Sequence, residues 1–85
     1  PFNMPKIVAY LSPTCPWARG VVELLEQHAF EFENRDVTNN PADYKEMVEK
    51  SGQDSSPCVE VNGEMLADVG RDELEAWMKE RGLID

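Results

Sequence analysis

Eighty-five residues with 41% apolar content are enough for one small domain with a modest core. The formal net charge of −9, from 17 acidic against 8 basic residues, argues against nucleic-acid or anionic-membrane binding, both of which need a positive surface. No apolar run approaches the roughly 20 residues of a bilayer span, and no basic segment followed by an apolar stretch marks a secretory signal. Two cysteines are too few to staple a secreted scaffold, so a reducing, cytoplasmic location is expected. The chain opens on Pro1, which leaves Met4, or a methionine removed ahead of Pro1, as the candidate start.

In chain order, "KIVAYL" (Lys6 to Leu11) is a short apolar run with β-branched and aromatic residues, the pattern of a buried strand. "PWARGVVELLEQHA" follows with Trp17, Val21, Leu24, Leu25 and His28 at helical spacing, and Pro16 stands in the first turn, where proline is tolerated. "FEFENRDV" alternates Phe30 and Phe32 with Glu31 and Glu33, the period of a half-exposed strand. The next segment, "NNPADYKEMVEKSG", carries helix punctuation at both ends. Asn40 caps it, Pro41 takes the first turn, Asp43 suits the positive end and Gly52 stops it. Its expected buried stripe is Tyr44, Met47 and Val48. "PCVEVNGEML" reads as a hairpin, because Asn62-Gly63 supplies the positive φ angles of a two-residue turn. "RDELEAWMKERG" closes as a helix, apolar at Leu74, Trp77 and Met78, with Gly82 at its end. The order β-α-β-α-β-β-α, without internal repeats or linkers, predicts a single α/β domain over residues 1–85, with its core in 6–82. A mixed sheet with helices on both faces is the architecture it implies.

The chemistry concentrates at "SPTCPWARG". A helix that starts at or beside Cys15 sets its sulfur near N–H groups without intrahelical partners and near the positive end of the helix dipole. Both effects favour a thiolate, the reactive form of cysteine. Arg19 lies one turn further on the same face, Pro16 stiffens the turn, and Trp17 offers an apolar platform beside the sulfur. A buried structural cysteine is the competing reading.

"TCPWA" after a strand, "SGQDSSPCVEVNG" before a hairpin and the acidic C-terminal helix together resemble the glutaredoxin family of the thioredoxin fold. The resemblance runs from Lys6 to about Gly82. It implies a four-stranded mixed sheet flanked by three helices, with Cys15 as nucleophile. Pro57 takes the family's cis-proline position, and the Ser56 backbone becomes a docking edge for substrate. Where members commonly carry Cys-Pro-Tyr-Cys, this chain has Cys15-Pro16-Trp17-Ala18, so no Cys-x-x-Cys disulfide can form. Single-cysteine members instead exchange with glutathione, which the resemblance makes a possible cosubstrate, with no tightly bound cofactor. The family's glutathione-binding positions map here onto Gln53, Ser56, Pro57, Asp68 and Asp72. Two cation positions are changed: a lysine before the motif becomes Ser12, and a basic residue before the proline loop becomes Asp54. The Gly-Gly pair that receives the γ-glutamyl end is matched by Ala67-Asp68, with Asp72-Glu73 following. These departures imply weak recruitment of an anionic tripeptide.

Cys58 directly follows Pro57. It is either a resolving thiol for Cys15 or a packed residue of a central strand, since strand parity alone leaves its direction open. His28 lies about 20 Å from Cys15 along one helix, too far for a Cys–His nucleophile pair, and reads as a residue settled on the negative helix end. Two cysteines and one histidine fall short of the four ligands of a structural zinc site. Asp72, Glu73 and Glu75 read as a solvated helix face, with a ligand contact at Asp72 or Glu73 as the alternative. Trp77 and Met78 read as core. The sequence therefore points to a monomeric thiol–disulfide oxidoreductase that uses Cys15 as sole nucleophile on disulfide or glutathionylated proteins, with weak glutathione dependence. The alternatives are an iron–sulfur carrier using Cys15 and glutathione, and a fold retained as a non-catalytic binding module.

Overall fold

The computed structural model describes residues 4–85. Pro1 to Asn3, and with them the question of the chain's start and the first residues of the 1–85 assignment, lie outside the described residues. Strand β1 (Ile7–Leu11) is buried at every position, as a strand covered on both faces must be. It lies between β2 (Glu33–Asp36) and β3 (Cys58–Val61), and β4 (Glu64–Leu66) completes the sheet in the order β2-β1-β3-β4. The β1–β2 pair is parallel and the other two pairs are antiparallel. With α1 (Pro16–Gln27), α2 (Pro41–Ser51) and α3 (Arg71–Glu80) the chain forms the four-stranded mixed sheet and three helices expected from the sequence.

Alternation along the strands divides the core into two layers. Ile7, Ala9 and Leu11 pack with Val59, Val61, the α1 residues Val21, Leu24 and Leu25, and the α3 residues Leu74 and Met78. On the other face Val8, Tyr10 and Cys58 pack with Met47 of α2. Thus α1 and α3 share one side of the sheet, and α2 stands alone on the other.

The end signals of α2 act as the sequence predicts. The Asn40 side chain accepts from the N–H groups of Ala42 and Asp43, at 3.1 and 3.4 Å. Gly52 ends the helix in a left-handed conformation, φ 74°. Asn62 and Gly63 take the positive φ angles of the hairpin turn, 50° and 88°.

Three local expectations change. The predicted strand "FEFENRDV" contributes only Glu33–Asp36 as β2. Phe30 is drawn into the close of α1, where its N–H reaches Leu25 O at 2.9 Å beyond a left-handed Ala29. In α2 Met47 and the half-buried Val48 pack on the sheet as expected, but Asp43 turns inward in place of Tyr44, which is exposed. The cause is Arg35 of β2, which donates to Asp43 Oδ1 at 3.1 Å and makes burial of that carboxylate tolerable. Trp77 lies at the rim of the core rather than within it, with the Arg81 guanidinium 4.5 Å from its ring centroid. Arg81 in turn holds Glu64 through two bonds of 2.7 and 3.0 Å, which fasten the end of α3 to β4.

Candidate functional site

The loop that leaves β1 turns sharply: the Cys15 N–H donates to Ser12 O at 3.0 Å. Cys15 is then the N-cap of α1, with extended backbone angles (φ −85°, ψ 124°) and Pro16 opening the helix. Its side chain makes no capping bond. The sulfur is therefore left free at a helix start and half-buried against the α1 side of the core. Pro13, Thr14, Pro16 and Arg19 form a small recess of about 200 Å³ around it.

Cys58, the other cysteine, is fully buried on the α2 side of the sheet, packed among Val8, Tyr10 and Met47. Its thiol donates to Ser55 O and accepts from Gln53 Nε2, both at 3.1 Å. Cys58 and Val59 are neighbours on one strand and point to opposite faces; Val59 shares the layer that Cys15 touches. The strand direction left open by sequence parity thus turns Cys58 away from Cys15.

Gln53 is likewise committed to its own loop. Its Nε2 donates to Ser51 Oγ, Ser55 O and Cys58 Sγ, and its Oε1 accepts from the Ser55 N–H at 2.7 Å. The expected carboxylate-binding amide is occupied in shaping the turn ahead of Pro57. The Ser56–Pro57 peptide is cis, as the sequence predicts. The Ser56 hydroxyl donates to Tyr10 O at 3.3 Å, and its own backbone N–H and C=O have no partner among the described residues.

The remaining predicted site residues do converge. Trp17, Ser56, Pro57 and Asp68 line one groove of about 450 Å³ together with Gly70 and Glu73. A second recess of about 390 Å³ continues from it between Pro16, Trp17 and Asp72. Trp17, Gly70 and Glu73 line both, and Trp17 is 66% exposed. Pro57 O accepts from the Val69 N–H at 2.8 Å, which ties the proline loop to the segment carrying Asp68. Asp68 takes a left-handed backbone, φ 51°, a conformation aspartate tolerates better than most residues.

Sequence reasoning missed Gly70, the N-cap of α3. A Cβ there would lie 3.3 Å from Trp17 Cδ1, so the missing side chain is what lets the indole rest against the start of α3. A glycine directly before "RDEL" is a weak signal, because glycine is only one of several acceptable N-caps. Glu73 also takes a defined role: its Oε1 accepts from the Gly70 N–H at 3.0 Å, the carboxylate half of a capping box.

Comparison with known proteins places this geometry. The family model for glutaredoxin matches residues 7–66. An uncharacterized glutaredoxin-like 8.6 kDa protein in the rubredoxin operon of Clostridium pasteurianum is 26% identical over 69 residues, which are 81% of this chain and 92% of that protein. The solution structure of a glutaredoxin from Brucella melitensis is 29% identical, with a TM-score of 0.66 over 98% of this chain and 88% of that one. A glutaredoxin from Archaeoglobus fulgidus, 18% identical, superposes with a TM-score of 0.72 over 91% of this chain and 89% of its own; at that identity the shared fold is the finding.

Proposed function

The chain belongs to the glutaredoxin family, and from that premise we propose that it is a thiol–disulfide oxidoreductase with Cys15 as its only nucleophile and glutathione as a weakly recruited cosubstrate. The family and its fold support a thiol-redox role. The observation that carries the finer reading is the contrast between the two cysteines: Cys15 is accessible at a helix start, and Cys58 is buried in the opposite layer.

The Cys15 thiolate attacks one sulfur of a protein disulfide or glutathione mixed disulfide. That S–S bond breaks, its second sulfur leaves as a thiolate, and Cys15 holds the first in a new disulfide. With Ala18 at the second motif position, no local thiol can displace it. A glutathione thiolate attacks instead, takes the bound group away as its own disulfide and returns Cys15 as a thiolate. A glutathionylated substrate is thus reduced at the expense of one glutathione thiol. A protein disulfide, left glutathionylated by the first round, needs a second round and a second glutathione. The Ser56 backbone and the Trp17 face align the substrate for attack. Weak recruitment follows from the residues around the site: Ser12 is neutral and bonded to Thr38 Oγ1 at 2.7 Å, Asp54 is anionic, and the Gln53 amide is spent within its loop.

The test is turnover of a glutathionylated substrate, coupled to glutathione and its reductase, in three variants. Cys15→Ser should abolish turnover. Cys58→Ser should retain it, because the hydroxyl can still donate to Ser55 O. Ser12→Lys combined with Asp54→Arg should raise it, since each charge-assisted bond contributes up to about 1.5–3 kcal/mol, less where exposed. A folded Cys58→Ser protein without activity would overturn the single-nucleophile reading, and an unchanged Lys/Arg variant would overturn the account of weak recruitment.

A further inference from the structure

We propose that the groove beside Trp17 docks an extended, cysteine-bearing protein segment with a lysine or arginine close to its cysteine, so that the preferred partner at this site is cationic. The inference deepens the exchange reading above and rests on it.

Trp17 is the most exposed large hydrophobic residue among those described, at 66% against 44% for Met4 and 41% for Tyr44. An indole face open to solvent two residues beyond Cys15 on α1 is a surface to be covered, and a cation can lie over it. The chain already uses that contact internally, in Arg81 over Trp77.

The charges around the groove decide which occupant fits. Asp68 lines the groove, Asp72 the recess that continues from it, and Glu73 lines both. Neither Asp68 nor Asp72 has a hydrogen-bond or ion-pair partner among the described residues. Arg71 is the one cationic side chain lining these recesses. Its bond to the neutral Gln27 Oε1 at 2.7 Å turns the guanidinium toward α1 but leaves its charge, which offsets one of the three acids. Arg19 stands apart in the recess around Cys15. The positive end of α3 carries no side-chain capping bond, and Asp72 and Glu73 in its first turn offset its charge, with Glu73 also accepting from the Gly70 N–H. An anionic ligand would therefore meet three carboxylates against the single guanidinium of Arg71, whereas a cationic one meets an excess of acids beside an aromatic face. The free N–H and C=O of Ser56 supply main-chain pairing for an extended segment. The net charge of −9 adds long-range steering of the same sign, which quickens encounter with a basic partner.

The experiment uses the whole chain carrying Cys15→Ser, which removes the chemistry and leaves the groove. Three probes are titrated and followed by NMR at the Trp17 indole and the Ser56 amide. They are an extended peptide with a serine flanked by lysines, the same peptide with glutamates, and glutathione. The lysine peptide should bind about tenfold more tightly than the glutamate peptide, by charge complementarity. The difference should shrink at about 0.2 M salt, where screening acts within roughly 10 Å. The shape-conserving pair Asp68→Asn and Asp72→Asn should erase it while the fold is kept. Equal binding of the two peptides, tighter binding of glutathione, or a lysine preference that survives the double asparagine variant would overturn the proposal. Because no thiol is needed for binding, a wild-type protein inactive in the coupled assay would sink the exchange reading and leave this result standing.

Discussion

At the scale of single residues, the position of one indole depends on a missing methyl group. Gly70 has an ordinary extended backbone, φ −90°, so its glycine is not needed for conformation. It is needed for space: a Cβ would sit 3.3 Å from Trp17 Cδ1 and 3.5 Å from Glu73 Oε1. In Gly70→Ala the indole has to give way by a few tenths of an ångström. Trp17 is exposed and can move, so stability should change by less than about 1 kcal/mol. The Trp17 indole resonance should shift clearly and the lysine peptide should bind less tightly. An alanine variant with an unmoved indole would mean that Gly70 plays no part in shaping the groove. The same scale shows what could be read in advance. The placing of Cys15 and Pro16 at the start of α1 was legible, because the apolar strand run ends just before them and proline favours a first helical turn. The engagement of Gln53 with Ser51, Ser55 and Cys58 was not, because a glutamine that shapes a loop and one that awaits a ligand look alike until the loop closes.

Among the elements, α2 separates the local from the tertiary. Its ends are fixed by Asn40 and Gly52, whose effects act within a few residues. Asn40→Ala should therefore cost about 1 kcal/mol, seen as a lower urea midpoint with an unchanged slope; no loss would mean that the two N–H groups find equivalent partners in water. Of its expected buried stripe Met47 and Val48 do pack on the sheet, and only Tyr44 gives way, since the choice between Asp43 and Tyr44 is made by Arg35, a residue of another element. The strand β2 was overlong in the sequence for a related reason. The alternation of Phe30 and Phe32 looks like a strand, yet Phe30 is taken by the closing turn of α1. Strand parity could not orient Cys58 either, because β3 presents apolar residues to both layers and alternation is informative only where one face is polar.

For the whole molecule, the α2 side of the sheet carries a charged network that ties stability to pH. Tyr10, fully buried, donates its hydroxyl to Glu46. Burial, followed by that hydrogen bond, pushes the phenol above its ordinary value of 10.0. Glu46 is held below its ordinary 4.5 chiefly by the Tyr10 hydrogen bond, which with the weaker pulls of Arg35 and Lys50 outweighs the opposing effect of burial. Above pH 10 the unfolded chain loses the tyrosine proton while the folded one keeps it, so stability falls as pH rises. The carboxylate acts in the opposite sense: its contribution is present above 4.5 and is lost as pH falls through the depressed folded value. Tyr10→Phe should flatten both limbs of a stability–pH profile measured by denaturant unfolding, and a variant with limbs as steep as the natural protein's would place the titrating groups elsewhere. A different consequence comes from the cavity of about 360 Å³ that Met4, Ile84 and Asp85 line together with His28 and Phe30. Met4 precedes β1 and Cys15 follows it, so the two described ends of the chain meet beyond the strand's far end, about five strand residues away from the sulfur. A label placed at Asp85 would therefore sit at the base of the sheet, away from the groove at Trp17.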